Sequence, residues 1–163
     1  MSVRTRCAAT LFASAGAVWL LDRITKLWVE RSLAGRPPIA IIAGVLDLRF
    51  TTNSGGAFSL GQSAPWLFVG ATIAVSVAIV VTAFRHTSVL TSVALGLVLG
   101  GAIGNLTDRA LRGPHLSGHV IDFIDLHVWP VFNVADSAIV VGAIILALSS
   151  VLADRRAPSA HAG

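Results

Sequence analysis

Residues 64–106 read APWLFVGATIAVSVAIVVTAFRHTSVLTSVALGLVLGGAIGNL. From Ala64 to Phe84, and again from Ser88 to about Leu106, no side chain is charged. A hydrocarbon core about 30 Å thick needs about 20 apolar residues as helix, so each run is long enough to span a membrane. Only Arg85, His86 and Thr87 lie between them, which makes the pair an antiparallel hairpin. Working outward, two further runs qualify: Cys7 to about Val29, and about Val131 to Ala153. The first of these carries Asp22, Arg23 and Lys26 in its last third, and the last carries Asp136 in its first turns. The remaining connections, about Glu30 to Ser63 and about Arg109 to Pro130, are long, and an even number of spans puts both on one side and both termini on the other.

Composition agrees. Of 163 residues, 55% are hydrophobic and 12% charged, about half the charge of an ordinary soluble domain, and the mean hydropathy is +0.80. A water-soluble chain this short cannot hide that much apolar surface, and disorder needs low hydrophobicity. The net charge of +4 does not point to nucleic acid, because the 12 Lys and Arg form no run; they flank spans. Cys7, the one cysteine, has no partner for an intrachain disulfide. The first residues superficially resemble a signal peptide, with Arg4 and Arg6 before an apolar stretch holding Ala13-Ser14-Ala15, but that stretch runs on past a usual apolar region and is read as an uncleaved first span. Residues 1–156 form one membrane-embedded domain on this reading, and 157–163 a disordered tail. Five basic residues (Arg4, Arg6, Arg85, Arg155 and Arg156) lie on the termini side and the remaining seven on the loop side, a count that does not settle orientation; cytoplasmic termini are the expectation. Trp28, Trp66 and Trp129 fall at the loop-side ends of spans, where an indole anchors at the interface.

Within the first long loop, Leu46 to Thr51 alternates apolar and polar residues, a strand signature, and runs into the turn signal Asn53-Ser54-Gly55-Gly56. Ionisable residues inside a membrane are costly and mark candidate function; here they gather on the loop side. Asp22 and Lys26 are four apart on one helix face, where they neutralise each other. Asn53 offers an amide that both donates and accepts. Gly96, Gly100 and Gly104 give a bare helix face for close packing, and one turn on, Asn105 and Arg109 point the same way. Asp108 pairs with Arg109 or with a neighbouring loop. Asp136 caps the start of the fourth span, while Asp122 lies in the loop that returns to it. Two readings stay open for these acids: a cap and a surface charge, or a carboxylate pair sharing one proton, able to act as base and acid on water. His115 and His119 have ligand spacing but no helix and no third ligand. Asp125 and His127 read as solvated loop residues.

In order along the chain, Asp22-x-x-Thr25-Lys26, Asn53-x-Gly55-x-Ala57-Phe58-Ser59, Gly104-Asn105-x-x-Asp108-Arg109, Val120-Ile121-Asp122-Phe123 and Phe132-Asn133-x-Ala135-Asp136 resemble the motifs of the lipoprotein signal peptidases, the type II signal peptidase family. The resemblance covers about Asp22 to Ala143. It implies an all-α integral membrane protein of four transmembrane helices with a small extracytoplasmic β-sheet, the β-cradle, and a loop over the active site. It also implies an aspartyl endopeptidase without metal or cofactor, cutting diacylglyceryl-modified prolipoproteins before the lipidated cysteine. Carried over by motif, Asp122 and Asp136 are the catalytic pair. Asn53, Gly55, Asn105, Arg109 and Asn133 bind substrate, with Gly56 giving its backbone room, and Asp22, Lys26 and Asp108 support the site. The partners implied are the diacylated prolipoprotein and membrane lipid, with globomycin-type cyclic peptides as inhibitors and no nucleic acid. The expected enzyme is a monomer, multi-pass in the bacterial cytoplasmic (inner) membrane, with cytoplasmic termini and an extracytoplasmic active site. Two departures stand out: Gly56 replaces a frequent alanine, and 13 residues between Asp122 and Asp136 make a short connection. Buried acids also mark proton-coupled transporters, but those place them near the midplane and often show repeated halves. The glycine-spaced third span alone would suit a non-catalytic scaffold.

Overall fold

The computed structural model describes residues 1–54 and 65–156. Helix α1 covers Val3–Leu33, α2 Pro65–Thr82, α3 Val89–Arg112 and α4 Val134–Arg156. All four are long and apolar enough to cross a membrane, as the hydropathy pattern predicts. The sequence boundaries fall short at the loop side, where α1 and α3 continue beyond the apolar runs. At 1.5 Å per residue, the 31 residues of α1 extend about 46 Å, well beyond a 30 Å core. Its last turns therefore stand in the interface, and the polar end of α3 lies beside them.

Helix α3 sits between α1 and α4 because its glycines allow it. A Cβ on Gly100 would stand 2.5 Å from the Ala15 carbonyl of α1, and one on Gly101 would strike the Ala135 carbonyl of α4. The bare face read from Gly96, Gly100 and Gly104 is thus real, and Gly101 opens a second face towards α4. Leu11 and Ala15 of α1 meet Leu99 of α3 and Ile79 of α2 in one apolar core. The outer faces of the helices leave Leu20, Leu21, Val77, Val81, Val140 and Ile144 exposed, as a lipid-facing surface requires.

Three antiparallel strands cover the loop-side end: β1 Ile39–Ile42, β2 Leu46–Asn53 and β3 Val120–Asp125, in the order β1-β2-β3. The alternation at Leu46–Thr51 predicts β2. Strand β3 corrects the sequence reading, which left Asp122 in a loop: Thr51 pairs with Asp122 and Asn53 with Val120. Residues directly opposite in a ladder share a face, and successive residues alternate. Ile121 and Phe123 consequently turn towards Val29 and Leu33 of α1, while Val120, Asp122 and Asn53 turn to the other side.

Candidate active site

That other side of the sheet walls a cavity of about 260 Å³ whose lining includes Asn53, Asn105, Arg109, Asp122, Trp129 and Asp136. Four elements contribute, β2, the end of α3, β3 and the start of α4, together with the connection between β3 and α4 that carries Trp129. Asp122 is nearly buried, 3% exposed. One of its oxygens accepts from Asn53 Nδ2 at 3.1 Å and the other from Asn133 Nδ2 at 2.6 Å. Burial first, and the nearby charge of Asp136 second, push the Asp122 carboxyl up to about 6.

Asp136 is placed by a reciprocal cap. Its backbone N–H donates to Asn133 Oδ1 at 2.9 Å, and its carboxylate accepts from the Asn133 N–H at 3.3 Å, which satisfies first-turn donors that α4 would otherwise leave open. The second oxygen of Asp136 accepts from Asn105 Nδ2 at 2.8 Å. The two readings left open by spacing are therefore compatible: Asp136 closes the helix start and also presents its carboxylate to the cavity. Asn133 is fully buried and joins both acids; it holds the carboxylates rather than lining the cavity. Arg109 lines the cavity, and among the described residues its guanidinium makes no hydrogen bond or ion pair. Gly55 and Gly56 lie outside the described residues.

Asp22, Lys26 and Asp108 form a buried lattice behind these groups, each fully buried. Lys26 Nζ lies 2.8 Å from Asp22, 3.0 Å from Asp108 and 3.0 Å from Asn105 Oδ1, using its three donors on three acceptors. Each acid then grips an element of the site. Asp22 accepts from the Ala135 N–H at 3.0 Å, beside Asp136. Asp108 accepts from the Ile121 N–H at 3.1 Å, beside Asp122, and pairs with Arg23 at 2.8 Å. It does not pair with Arg109. An ion pair between Arg112 and Glu30, which sequence reasoning missed, ties the ends of α3 and α1.

Two further expectations change. Asp125 is not solvated: it ends β3 at 7% exposure, 3.1 Å from Arg49, and accepts from the His127 N–H at 2.8 Å. His127 Nε2 lies 2.9 Å from Asp47. Trp129 is more than an interfacial anchor, since it walls the cavity. His115 sits in a short 3-10 turn, Pro114–Leu116, and among the described residues no cluster able to hold a metal ion occurs.

The site can hold a carbonyl or a water between two differently held carboxylates, with a cation alongside. Comparison with known proteins agrees with the sequence motifs. The family model described as signal peptidase (SPase) II matches residues 14–152. The chain is 44% identical over 140 residues to a lipoprotein signal peptidase of Syntrophomonas wolfei, covering 85% of this chain and 91% of that one. It is 40% identical over 143 residues to a lipoprotein signal peptidase of Rhodococcus jostii, covering 87% and 72%. A solved bacterial membrane enzyme structure superposes with a TM-score of 0.78 at 26% identity, covering 95% of this chain and 94% of that chain.

Proposed function

The chain belongs to the signal peptidase II family, and on that premise we propose that it is an aspartyl endopeptidase. It removes the signal peptide from diacylglyceryl-modified prolipoproteins by cutting immediately before the lipidated cysteine. The observation that carries the aspartyl chemistry is the pair itself: Asp122 and Asp136 come from different elements, face one cavity, and are both gripped by Asn133.

Hydrolysis on this reading begins with one proton on the pair. Burial and the charge of Asp136 raise the Asp122 carboxyl to about 6, which favours a proton kept on the pair. The ionised member takes a proton from water, the water oxygen attacks the scissile carbonyl, and the proton on its partner stabilises the developing oxyanion before reaching the leaving amine. Arg109 and the Asn53 amide hold the substrate backbone, and Asn105 keeps Asp136 oriented. No metal or cofactor takes part. The site lies where α3 ends and α4 begins, at the boundary where a membrane-held peptide bond meets water. The signal helix and acyl chains are held laterally by lipid-facing apolar surface. The enzyme acts as a monomer in the bacterial cytoplasmic membrane, with cytoplasmic termini and the sheet on the outer side, and globomycin-type peptides occupy the same cavity.

Incubating the purified protein with a diacylated prolipoprotein and sequencing the products by mass spectrometry tests this. The expected products are the intact signal peptide and a mature chain beginning with the diacylglyceryl cysteine, while the unacylated precursor stays uncut. Cleavage elsewhere, or equal cleavage of the unacylated precursor, would overturn the assignment.

A further inference from the structure

Trp129 borders three spaces at once. It lines the cavity of Asp122 and Asp136, an apolar groove of about 320 Å³ along α4 with Phe132, Val140 and Val141, and a polar cavity of about 490 Å³ with Asp47, Arg49, Asp125 and His127. It stands on the short connection between β3 and α4. The base of that connection is stapled by Ile124 and Phe132, whose backbones exchange hydrogen bonds of 2.8 and 3.1 Å.

The tip is held differently. His127 has φ of 61°, a left-handed conformation that is uncommon for a non-glycine residue and that contacts here hold. Two contacts do so: the His127 N–H donates to Asp125 Oδ1 at 2.8 Å, and Nε2 lies 2.9 Å from Asp47 Oδ2 on β2. Arg49, also on β2, braces Asp125 at 3.1 Å. The neighbouring Val128 is 90% exposed, so no apolar packing of that residue fixes the tip.

We propose that Asp47 and His127 are positioning residues for the reaction: their contact latches the β3–α4 connection to β2 and keeps Trp129 as the common wall of the three spaces, which sets how tightly substrate is seated at the carboxylates. The catalytic half of this inference rests on the peptidase reading; the structural half does not.

Kinetics and spectroscopy of the full-length protein in detergent test both halves. His127→Ala and Asp47→Ala should each raise KM for a diacylated prolipoprotein by about fivefold, the size an exposed pair can contribute, with kcat within about twofold. The double variant should be no worse than either single one, and His127→Gln, which keeps an N–H donor, should restore KM. In protein labelled with 5-fluorotryptophan, the fluorine resonance of Trp129, assigned by its loss in Trp129→Phe, should move in both alanine variants. Unchanged KM in both, additive effects in the double variant, or a loss of kcat with the Trp129 resonance unmoved would overturn the latch. Should the wild-type protein leave the substrate uncut, the peptidase reading fails, and the fluorine resonance alone decides: movement supports the latch, and none refutes it.

Discussion

Folding gives Asp122 a proton affinity that an exposed aspartate lacks, and the sign of its effect on stability follows. Its carboxyl rises from 3.8 unfolded to about 6 folded, so between those values the native state binds the proton more tightly. Stability from this group is full below about pH 4 and is lost as pH rises through about 6. Asp122→Asn should therefore be more stable to unfolding than wild type at pH 8, by up to about 3 kcal/mol, with the difference gone by pH 4; thermal unfolding in detergent at the two pH values checks it. A variant that melts lower at pH 8 would contradict the origin of the shift. On the peptidase reading, kcat/KM should fall as pH rises above about 6, when the pair gives up its last proton. A rate that climbs steadily to pH 9 would contradict that. The identities of both acids, and their pairing, were legible only through the motif resemblance. Spacing along the chain cannot tell a cap from a carboxylate pair, and it could not show that Asn133 bonds to both acids and caps α4 through Asp136.

Elements, rather than single residues, set the depth of the site. The spans were legible because lipid demands long apolar helices; their loop-side ends were not, because there the residues turn polar to meet one another. Strand β3 was missed for a related reason. Val120–Asp125 packs on α1 with one face and walls the cavity with the other, so it lacks the apolar–polar alternation of a half-solvated strand and holds two aspartates, which are poor strand formers. The buried lattice makes Lys26 central to how the elements meet. Lys26→Met leaves Asp22 and Asp108 buried without their shared cation and should destabilise the protein by about 3–5 kcal/mol, measured by thermal unfolding; wild-type stability would show that the lattice carries no such weight. Gly101→Val should push α4 away at Ala135, next to Asp136, and cut cleavage at least about tenfold by misplacing that carboxylate. Wild-type rates in this variant would contradict a fixed α3–α4 contact.

At the scale of the whole molecule, the buried acidic and basic side chains among the described residues gather at one end of a four-helix bundle, the end capped by a three-stranded sheet, a placement unlike the midplane acids of a transporter. Charge counts left orientation nearly even, and three of the residues counted lie elsewhere than on a flank: Arg23 and Lys26 in the buried lattice and Arg109 at the cavity. Orientation is open to a direct test. A cysteine at Val128, 90% exposed, should react with a membrane-impermeant maleimide on intact cells, and one at Ser2 should not; the reverse pattern would invert the topology. The central claim asks more of the molecule: two acids from separate elements must jointly activate one water. Cleavage of a diacylated prolipoprotein by Asp122→Asn and by Asp136→Asn, each first shown to melt cooperatively, measures this most directly. Both variants should lose at least about a hundredfold in kcat, and the double variant should lose little more than either one; cleavage near the wild-type rate in either single variant would contradict the pair.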